Sequence, residues 1–249
     1  MSRRTLSLRH MMEQDKGEGA MPMQAFVRTV DGRTLADKWA KTAALLSHPE
    51  IAPHIPKTRL YTEANLRGML AQYGSVVIKP QRGTGGAGVA RVVREGGGYT
   101  VTVGATKRRY RSFAELKRAL RRLRRGRRYL IQRRIPLATI GGRPIDYRVK
   151  IEKENGEWRI RAIVGRLARR GLFVTNLCRG GTQLPASVGI SRSLSPRLAR
   201  VKKRQMRSLT YTATAVLERR YPGISRLGFD YGLDRSGRIW IFEVNTRPH

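Results

Sequence analysis

The stretch "GFDYGLDRSGRIWIFEVN", residues 228–245, consists of two apolar runs around a polar turn and predicts a β-hairpin. A turn at residues 234–237 places Asp230 opposite Ile241 in the paired strands. The second run also contains a carboxylate, Glu243, in an otherwise apolar strand. The chain has only 17 Asp and Glu residues, so an acid at this position needs an explanation.

The polar residues of this hairpin have the arrangement of a metal site. Side chains alternate across a strand, so Ile241, Glu243 and Asn245 are expected on one face. Asp230 lies on the same face, diagonal to Glu243 at a separation of roughly 7–8 Å. Carboxylate and amide oxygens suit Mg²⁺, which takes few protein ligands when phosphates and water complete its shell. We predict that Asp230, Glu243 and Asn245 bind metal; the alternative is that both carboxylates pair with arginines.

A glycine-rich loop follows an apolar strand in the first half of the chain. The strand "SVVIKP", 75–80, contains Lys79 near its end, and the loop "GTGGAG", 83–88, comes next. Glycines let backbone N–H groups approach phosphate oxygens, and a lysine adds positive charge. The lysine precedes the glycines, which is the order of neither a Walker loop nor a protein kinase. The loop predicts phosphate binding; the alternative is a glycine-rich turn beside a surface lysine.

A third cluster is cationic and lies in the second half of the chain. Phosphoryl transfer needs fixed positive donors where charge develops, and arginine offers paired donors to phosphate or carboxylate. Any single arginine of this chain could equally be a solvated surface residue. The candidate catalytic residues are Arg148, Arg166, Asn176 and Arg179, the last followed by two glycines.

The composition limits the classes of partner and of compartment. The 249 residues carry a net charge of +35, which attracts polyanions such as nucleic acid, an acidic peptide, nucleotide phosphates or an anionic membrane surface. The single cysteine excludes an internal disulfide and a Cys-based zinc site. No stretch approaches the roughly 20 apolar residues of a membrane span, and no secretory signal is visible. We expect a cytoplasmic protein.

The remaining periodicity predicts alternating helices and strands. The helix at 112–128 has an exposed face that is almost entirely arginine, which we expect to contact an acidic acceptor. Residues 1–35 are expected to form a flexible basic tail. Helices are predicted at 35–49, 62–74, 112–128 and 195–223, strands at 129–137 and 146–168, a hairpin at 89–104, and a short strand with a loop at 171–183.

Seven segments together resemble the ATP-grasp superfamily and, within it, the YheC/YheD family of endospore coat-associated proteins. The 13-residue step from Asp230 to Glu243, with Asn245 two residues on, is similar to the Mg²⁺ triad of D-alanine:D-alanine ligases. The segment from Arg166 to Gly181 resembles the ribosomal-protein glutamate ligases. The segments are "DKWAK", "IPKTRLY", "VVIKPQRGTGGAGVARV", "YLIQRRIPL", "GRPIDYRVKIEKENGEWRI", "GRLARRGLFVTNLCRGG" and "GFDYGLDRSGRIWIFEVNTRP".

The resemblance implies an α+β ATP-grasp fold, in which two α+β lobes clasp a nucleotide. The expected ATP-grasp domain is 36–249, with lobes at 36–131 and 132–249, and the usual N-terminal substrate domain reduced or absent. Arg148 and Arg166 match arginines that hold the γ-phosphate and the carboxylate or acyl-phosphate. The expected nucleotide-binding residues are the lysines Lys38 and Lys79, the loop residues Gly83, Thr84, Gly85, Gly86 and Gly88, and the hinge residues Gln132, Arg133 and Ile135.

The function implied is an ATP-dependent carboxylate–amine ligase that acts through an acyl-phosphate and uses Mg²⁺, with Mn²⁺ as a substitute. The charge favours an acidic peptide or polymer as acceptor, with a spore-coat role as a family expectation. Two alternatives are a basic nucleic-acid-binding protein and a non-catalytic, ATP-binding structural protein of the spore coat.

Three positions depart from the pattern of these families. Gln132 replaces a frequent glutamate, and Gly228 replaces an arginine of the D-alanine ligases, for which Arg148 is the expected substitute. His249 stands where many relatives have a glycine that contacts substrate.

Overall fold

The structure, a computed structural model, describes residues 35–246 and contains two six-stranded antiparallel sheets. The first sheet has the order β1-β6-β2-β3-β4-β5. The second has the order β10-β9-β8-β11-β12, with β7 paired to β8. The expected basic tail, up to residue 34, and His249 lie outside the described residues.

Within residues 35–246, five α-helices and two short 3-10 helices connect the strands. The α-helices are α1 (Lys38–Leu46), α2 (Glu63–Tyr73), α3 (Phe113–Arg124), α4 (Ala186–Ser193) and α5 (Pro196–Arg220), and the 3-10 helices are Ala52–His54 and Leu177–Arg179. The strands are β1 (Thr58–Leu60), β2 (Ser75–Pro80), β3 (Ala90–Glu95), β4 (Gly98–Val103), β5 (Thr106–Tyr110), β6 (Tyr129–Arg133), β7 (Thr139–Ile140), β8 (Arg143–Glu154), β9 (Glu157–Leu167), β10 (Thr182–Pro185), β11 (Arg226–Leu233) and β12 (Ile239–Asn245).

The two faces of the first sheet have different neighbours. Side chains alternate along β2, so Val76 and Ile78 point to one face and Val77 and Lys79 to the other. Val76 and Ile78 are fully buried in a core that also contains side chains of α2 and α3. Val77 and Lys79 line a cleft. The helices therefore cover the sheet face opposite to the cleft.

The second sheet is likewise covered by helices on one face. α4 and α5 pack there over a core that includes Tyr147, Phe229 and Tyr231. α1 precedes the first sheet in the chain, but it packs against α5 and β12. Both sheets thus turn their helix-free faces toward the same cleft. The division into lobes at residue 131 stays a prediction, and β6 continues to Arg133.

Several local predictions are confirmed by the residues that delimit the elements. Thr62 accepts from the Asn65 backbone N–H at the start of α2, and Gly74 ends this helix with φ of 66°. The turn between β8 and β9 lies at residues 155–156. Ser195 caps α5, and Pro196 occupies its first position.

Other boundaries differ from the sequence prediction. α3 ends at Arg124 rather than at 128, because Arg125 adopts a left-handed conformation with φ of 46°. β5 adds a third strand after the predicted hairpin 89–104, and α4 forms within a segment for which no element was predicted. Residues 171–176 contain no strand; β10 begins only at Thr182.

The C-terminal hairpin has a different register from the predicted one. Tyr231 pairs with Ile241, and Asp230 pairs directly with Glu243, because a bulge interrupts the ladder between these pairs. The extra residue is Phe242, and it shifts the alternation of β12. Phe242 and Glu243 consequently both line the cleft, whereas Ile241 is buried in the core. The prediction that Ile241 shares a face with Glu243 is wrong, as is the diagonal placement of Asp230.

The turn of this hairpin is also one residue longer than predicted. Leu233 pairs with Ile239, and the Asp234 carboxylate accepts from the backbone N–H groups of Ser236 and Arg238 at 3.0 and 2.9 Å. The Asp234 carboxylate therefore stabilises the longer loop. The sequence spacing predicted neither the extra residue nor this role.

The predicted α+β class is confirmed. Residues 35–246 are 33% helix and 36% strand, arranged in two antiparallel sheets. None of the helices within residues 35–246 combines the length and the hydropathy that a bilayer crossing requires.

Candidate active site

The cleft between the two sheets has a volume of about 500 Å³, within the usual range of small-molecule sites. It is lined by most of the residues that the sequence singled out: Lys38, Lys79, Gly83, Thr84, Gly85, Gly86, Gln132, Arg133, Ile135, Arg148, Arg166, Asn176, Asp230, Glu243 and Asn245.

Gly88 and Arg179 are the two predicted site residues that do not line the cleft. Gly88 has φ of 75°, and a Cβ there would lie 2.7 Å from the Tyr129 hydroxyl, so it packs against the end of the sheet. Arg179 is exposed, and its Nε donates to the Gly85 carbonyl at 3.3 Å. Arg179 therefore contacts the glycine loop from outside.

The predicted metal carboxylates lie opposite each other on β11 and β12, and each is paired with cations. Arg148 on β8 donates two hydrogen bonds to Asp230, and Arg166 Nη2 lies 3.1 Å from the same carboxylate. Lys38 Nζ lies 3.1 Å from Glu243 Oε1. The pairing with arginines expected as the alternative is found for Asp230, whereas Glu243 pairs with a lysine. Metal binding by these carboxylates stays a prediction.

Lys79 is a buried cation in the floor of the cleft. Its Nζ donates to the Phe242 carbonyl at 2.7 Å and to Gln132 Oε1 at 3.2 Å. Gln132 in turn donates to Thr58 Oγ1 at 2.9 Å, which fixes its amide. Burial lowers the pKa of Lys79, while the nearby Glu243 carboxylate favours its charged form. An anion bound in the cleft would further favour the charged form of this ammonium.

Lys38 connects the helix α1 to the glycine loop. Its Nζ donates to the Gly83 carbonyl, and its backbone N–H donates to the Gln81 carbonyl at 3.0 Å. Asp37 caps α1 and accepts from Gln81 Nε2 at 2.6 Å. These contacts hold the start of α1 against the loop. Asp37 therefore positions Lys38, and the sequence did not single it out.

The glycine loop closes over the cleft in a conformation that side chains would obstruct. Gly85 and Gly86 have φ of 65° and 70°, in the left-handed region. A Cβ on Gly86 would lie 2.7 Å from Asn176 Oδ1. The loop can approach the opposite wall at this point only because no side chain is present.

Asp146 is the most prominent functional residue that sequence reasoning missed. It is buried, with 6% exposure, and accepts from Arg166 Nε and Nη2 at 2.8 and 2.6 Å and from the Thr175 hydroxyl. Burial disfavours the charge of Arg166, but Asp146 and Asp230 outweigh this effect and raise the pKa of Arg166. Asp146 did not stand out in the sequence as Glu243 did, because strand β8 contains several other charged residues.

The donor set of this site fits a divalent cation shared with a nucleotide. Asp230, Glu243 and Asn245 all present oxygen atoms, and the two carboxylates are cross-strand neighbours. Within residues 35–246 no group of three or more His, Cys, Asp or Glu could hold a metal, so phosphates and water would complete its shell. A metal bound to the two carboxylates would displace Arg148 and Lys38 from them. Both cations would then be available to phosphate.

Comparisons with known proteins agree with this geometry. A YheC/D-like ATP-grasp family model matches residues 28–249. Endospore coat-associated protein YheD of Bacillus subtilis is 31% identical over 224 residues, 87% of this chain and 49% of that protein. Its counterpart YheC is 28% identical over 230 residues, 87% of this chain and 61% of that protein. The chain therefore spans about half to three fifths of the length of these relatives.

A solved structure shares the fold at low sequence identity. N5-carboxyaminoimidazole synthetase from Staphylococcus aureus, complexed with ADP, is similar with a TM-score of 0.55 and 10% identity. The similarity covers 86% of this chain and 45% of that one.

Proposed function

The chain belongs to the YheC/D-like ATP-grasp family, and we propose that it is an ATP- and Mg²⁺-dependent ligase that joins a carboxylate to an amine through an acyl-phosphate. One observation carries the proposal. Two opposed carboxylates, two buried lysines and a glycine loop line a single cleft between two sheets. The ATP-grasp superfamily contains carboxylate–amine ligases, which supports the proposal. The pairing of a carboxylate with an amine is proposed for this chain.

The phosphates are proposed to lie between the glycine loop and the two lysines. Lys38 and Lys79 both lie near Glu243 and supply positive charge, and the loop offers backbone N–H groups. Gln132, Arg133 and Ile135 follow on β6 and after it, where they are proposed to hold the base. Apolar side chains such as Val77 line the same part of the cleft.

Mg²⁺ (or Mn²⁺), when bound by Asp230, Glu243 and Asn245, would neutralise phosphate charge and orient the transferred phosphoryl group. Arg148 and Arg166 are proposed to hold the γ-phosphate and the substrate carboxylate or acyl-phosphate. Asn176 reaches the cleft beside Gly86, where its amide can orient the reacting group. Such catalysis depends on positioning and charge, and it requires no protein nucleophile.

The acceptor is proposed to be an acidic peptide, protein or polymer, because the cleft and the whole chain are cationic. Its reacting end must enter the cleft. The arginine face of α3 lies on the opposite side of the first sheet, so the cleft arginines and Arg179 at its rim are the proposed acceptor contacts. A spore-coat role is proposed only from the names of the relatives.

ADP release tests this proposal. The protein is incubated with Mg-ATP and a panel of amino acids and acidic or basic peptides, and the products are identified by mass. Glu243→Gln is expected to abolish the Mg²⁺-dependent turnover with little change in the fold, because the carboxylate, 18% exposed, lines the cleft and glutamine has the same shape. Glu154→Gln, at the β8–β9 turn, removes the same charge as a matched control and should behave like the parent.

Two results would count against the proposal. Turnover by Glu243→Gln at the parental rate would contradict the metal assignment. ATP binding without ADP release on any acceptor would favour a non-catalytic, ATP-binding role instead.

A further inference from the structure

The exposed face of α3 is a continuous row of arginines. Leu116 and Leu120 are buried beneath the helix, and the opposite side of the helix carries only exposed residues. With 3.6 residues per turn, that opposite side is centred on the five arginines that follow. We define the α3 surface as Arg111, Arg118, Arg121, Arg122 and Arg125, all of them exposed.

The α3 surface does not belong to the active-site cleft. Leu116 packs in the same core as Val76 and Ile78, on the helix-covered face of the first sheet. The cleft lies on the other face, where Val77 and Lys79 point. A ligand on the α3 surface is therefore separated from the nucleotide site by the full thickness of a sheet and a helix.

The charge of this surface is not neutralised by any acidic side chain in the described part of the chain. Among residues 35–246, none of the five arginines forms a side-chain ion pair, whereas Lys117, on the flank of α3, pairs with Glu63. Arg124, on the other flank, stacks on the Tyr61 ring at 4.0 Å. Like charges three and four residues apart destabilise a helix, so the row is unfavourable for the isolated protein. A polyanionic partner would remove this repulsion.

The chemistry of the row favours phosphate. All five residues are arginine and none is lysine, and the planar guanidinium binds phosphate with paired hydrogen bonds. α3 has 12 residues, which gives a length of about 18 Å. Double-stranded nucleic acid carries one negative charge per ~1.7 Å of axis. An extended acidic polypeptide carries at most one per ~3.3 Å, so the duplex offers about twice the charge along this helix.

The aromatic residues around α3 argue for a duplex rather than a single strand. Single-stranded nucleic acid is usually held by bases that stack on exposed aromatic rings. Here the Phe113 ring is covered by Arg67 at 4.2 Å, and the Tyr61 ring by Arg124. Stacking platforms are therefore occupied, while backbone phosphates remain accessible to the arginines.

We propose that the α3 surface binds the phosphate backbone of double-stranded nucleic acid, without sequence preference. The inference goes beyond the ligase activity and does not depend on it. Phosphate contacts of this kind release counterions, so binding should weaken steeply as salt is raised.

The experiment compares two quadruple variants of equal charge. One replaces Arg118, Arg121, Arg122 and Arg125 by glutamine. The matched control replaces four exposed arginines that lie on separate elements and form no row, namely Arg192, Arg219, Arg226 and Arg235. Fluorescence anisotropy measures the binding of a mixed-sequence duplex of about twenty base pairs over a range of salt, and circular dichroism verifies that each variant is folded.

The magnitude of the negative slope of log K against log salt should fall by about 3–4 in the α3 variant, since each lost phosphate contact contributes about 0.9. The control variant should change it by less than about 1. Equal changes in both variants, or an unchanged slope in the α3 variant, would overturn the site. Tighter binding of a single strand, or displacement of the duplex by polyglutamate at equal charge, would overturn the choice of partner.

Magnesium-dependent ADP release by the α3 variant separates the two proposals. It should equal that of the parent, because the surface lies across the sheet from the cleft. A loss of ADP release with unchanged duplex binding would assign the surface to the ligase reaction and overturn the inference. Loss of duplex binding with ADP release absent in parent and variant alike would contradict only the proposed function.

Discussion

Replacing Arg148 by methionine should increase the affinity of the nucleotide-free protein for Mn²⁺. Arg148 donates two hydrogen bonds to Asp230, and a metal that binds Asp230 must first displace them. The variant keeps a side chain of similar length but lacks this competing cation. Arg166 remains beside Asp230, so metal binding has one cation fewer to displace.

The size of the effect follows from the contacts. Both side chains are 13% exposed, so the pair is largely but not wholly removed from water. Hydrogen bonds to charged groups contribute about 1.5–3 kcal/mol. Because solvent still reaches this pair, we assign its two hydrogen bonds together about 1.5 kcal/mol, the low end of that range. Since 1.4 kcal/mol corresponds to a factor of ten, the Mn²⁺ dissociation constant should fall by about tenfold.

Titration of free Mn²⁺, followed by electron paramagnetic resonance, measures this constant directly. Arg134→Met is the matched control, since Arg134 lines the same cleft but contacts neither carboxylate among the described residues. ATP affinity should change in the opposite direction, because Arg148 is proposed to contact the γ-phosphate. Mn²⁺ binding by Arg148→Met that is no tighter than by Arg134→Met would refute the cation exchange.

Three further predictions concern the network behind the cleft, its titration and the glycine loop. Asp146→Asn leaves buried Arg166 short of a partner and should lower the free energy of unfolding by about 3 kcal/mol, measured by urea denaturation. Burial lowers the pKa of Lys41 from 10.5 to about 8, so the unfolded state binds more protons between these values. The free energy of unfolding should rise with pH across this window, and Lys41→Met should lack that rise. Gly86→Ala should weaken ATP binding, measured by calorimetry, since its Cβ would collide with Asn176.

Each of these predictions has a contrary result. An unchanged urea midpoint in Asp146→Asn would show that Asp230 alone satisfies Arg166. Parallel pH profiles of the parent and Lys41→Met would show that this lysine is not the source of the rise. Gly97→Ala, at φ of 75° with open space around its Cβ, controls for backbone strain, and an equal loss of ATP affinity there would contradict the steric argument.

Local signals in the sequence were sufficient for the elements whose ends depend on single residues. Thr62 and Gly74 delimit α2, and Ser195 begins α5, because caps and left-handed glycines act within one turn. The carboxylates Asp230 and Glu243 could be recognised because an acid in a buried, apolar strand is rare.

Features that depend on long-range packing could not be predicted in this way. The bulge at Phe242 and the five-residue loop around Asp234 depend on how β12 fits between β11 and α1, which spacing does not encode. Asp146 is recognisable only through its partner Arg166 on the adjacent strand β9. Sequence patterns therefore predict which residues line the cleft better than they predict the strand register around it.

In the proposed reaction, the cleft forms an acyl-phosphate from ATP and a carboxylate. In the most direct test, the protein is incubated with Mg-ATP, an amine acceptor and carboxylates labelled with heavy oxygen. The mass of the released phosphate is then measured by mass spectrometry. Phosphate that carries one labelled oxygen for each ADP is the predicted result, because the acyl-phosphate passes that oxygen from the carboxylate to phosphate when the amine attacks. ADP release with unlabelled phosphate across the whole panel would contradict the claim, since water would then be the acceptor of the phosphoryl group.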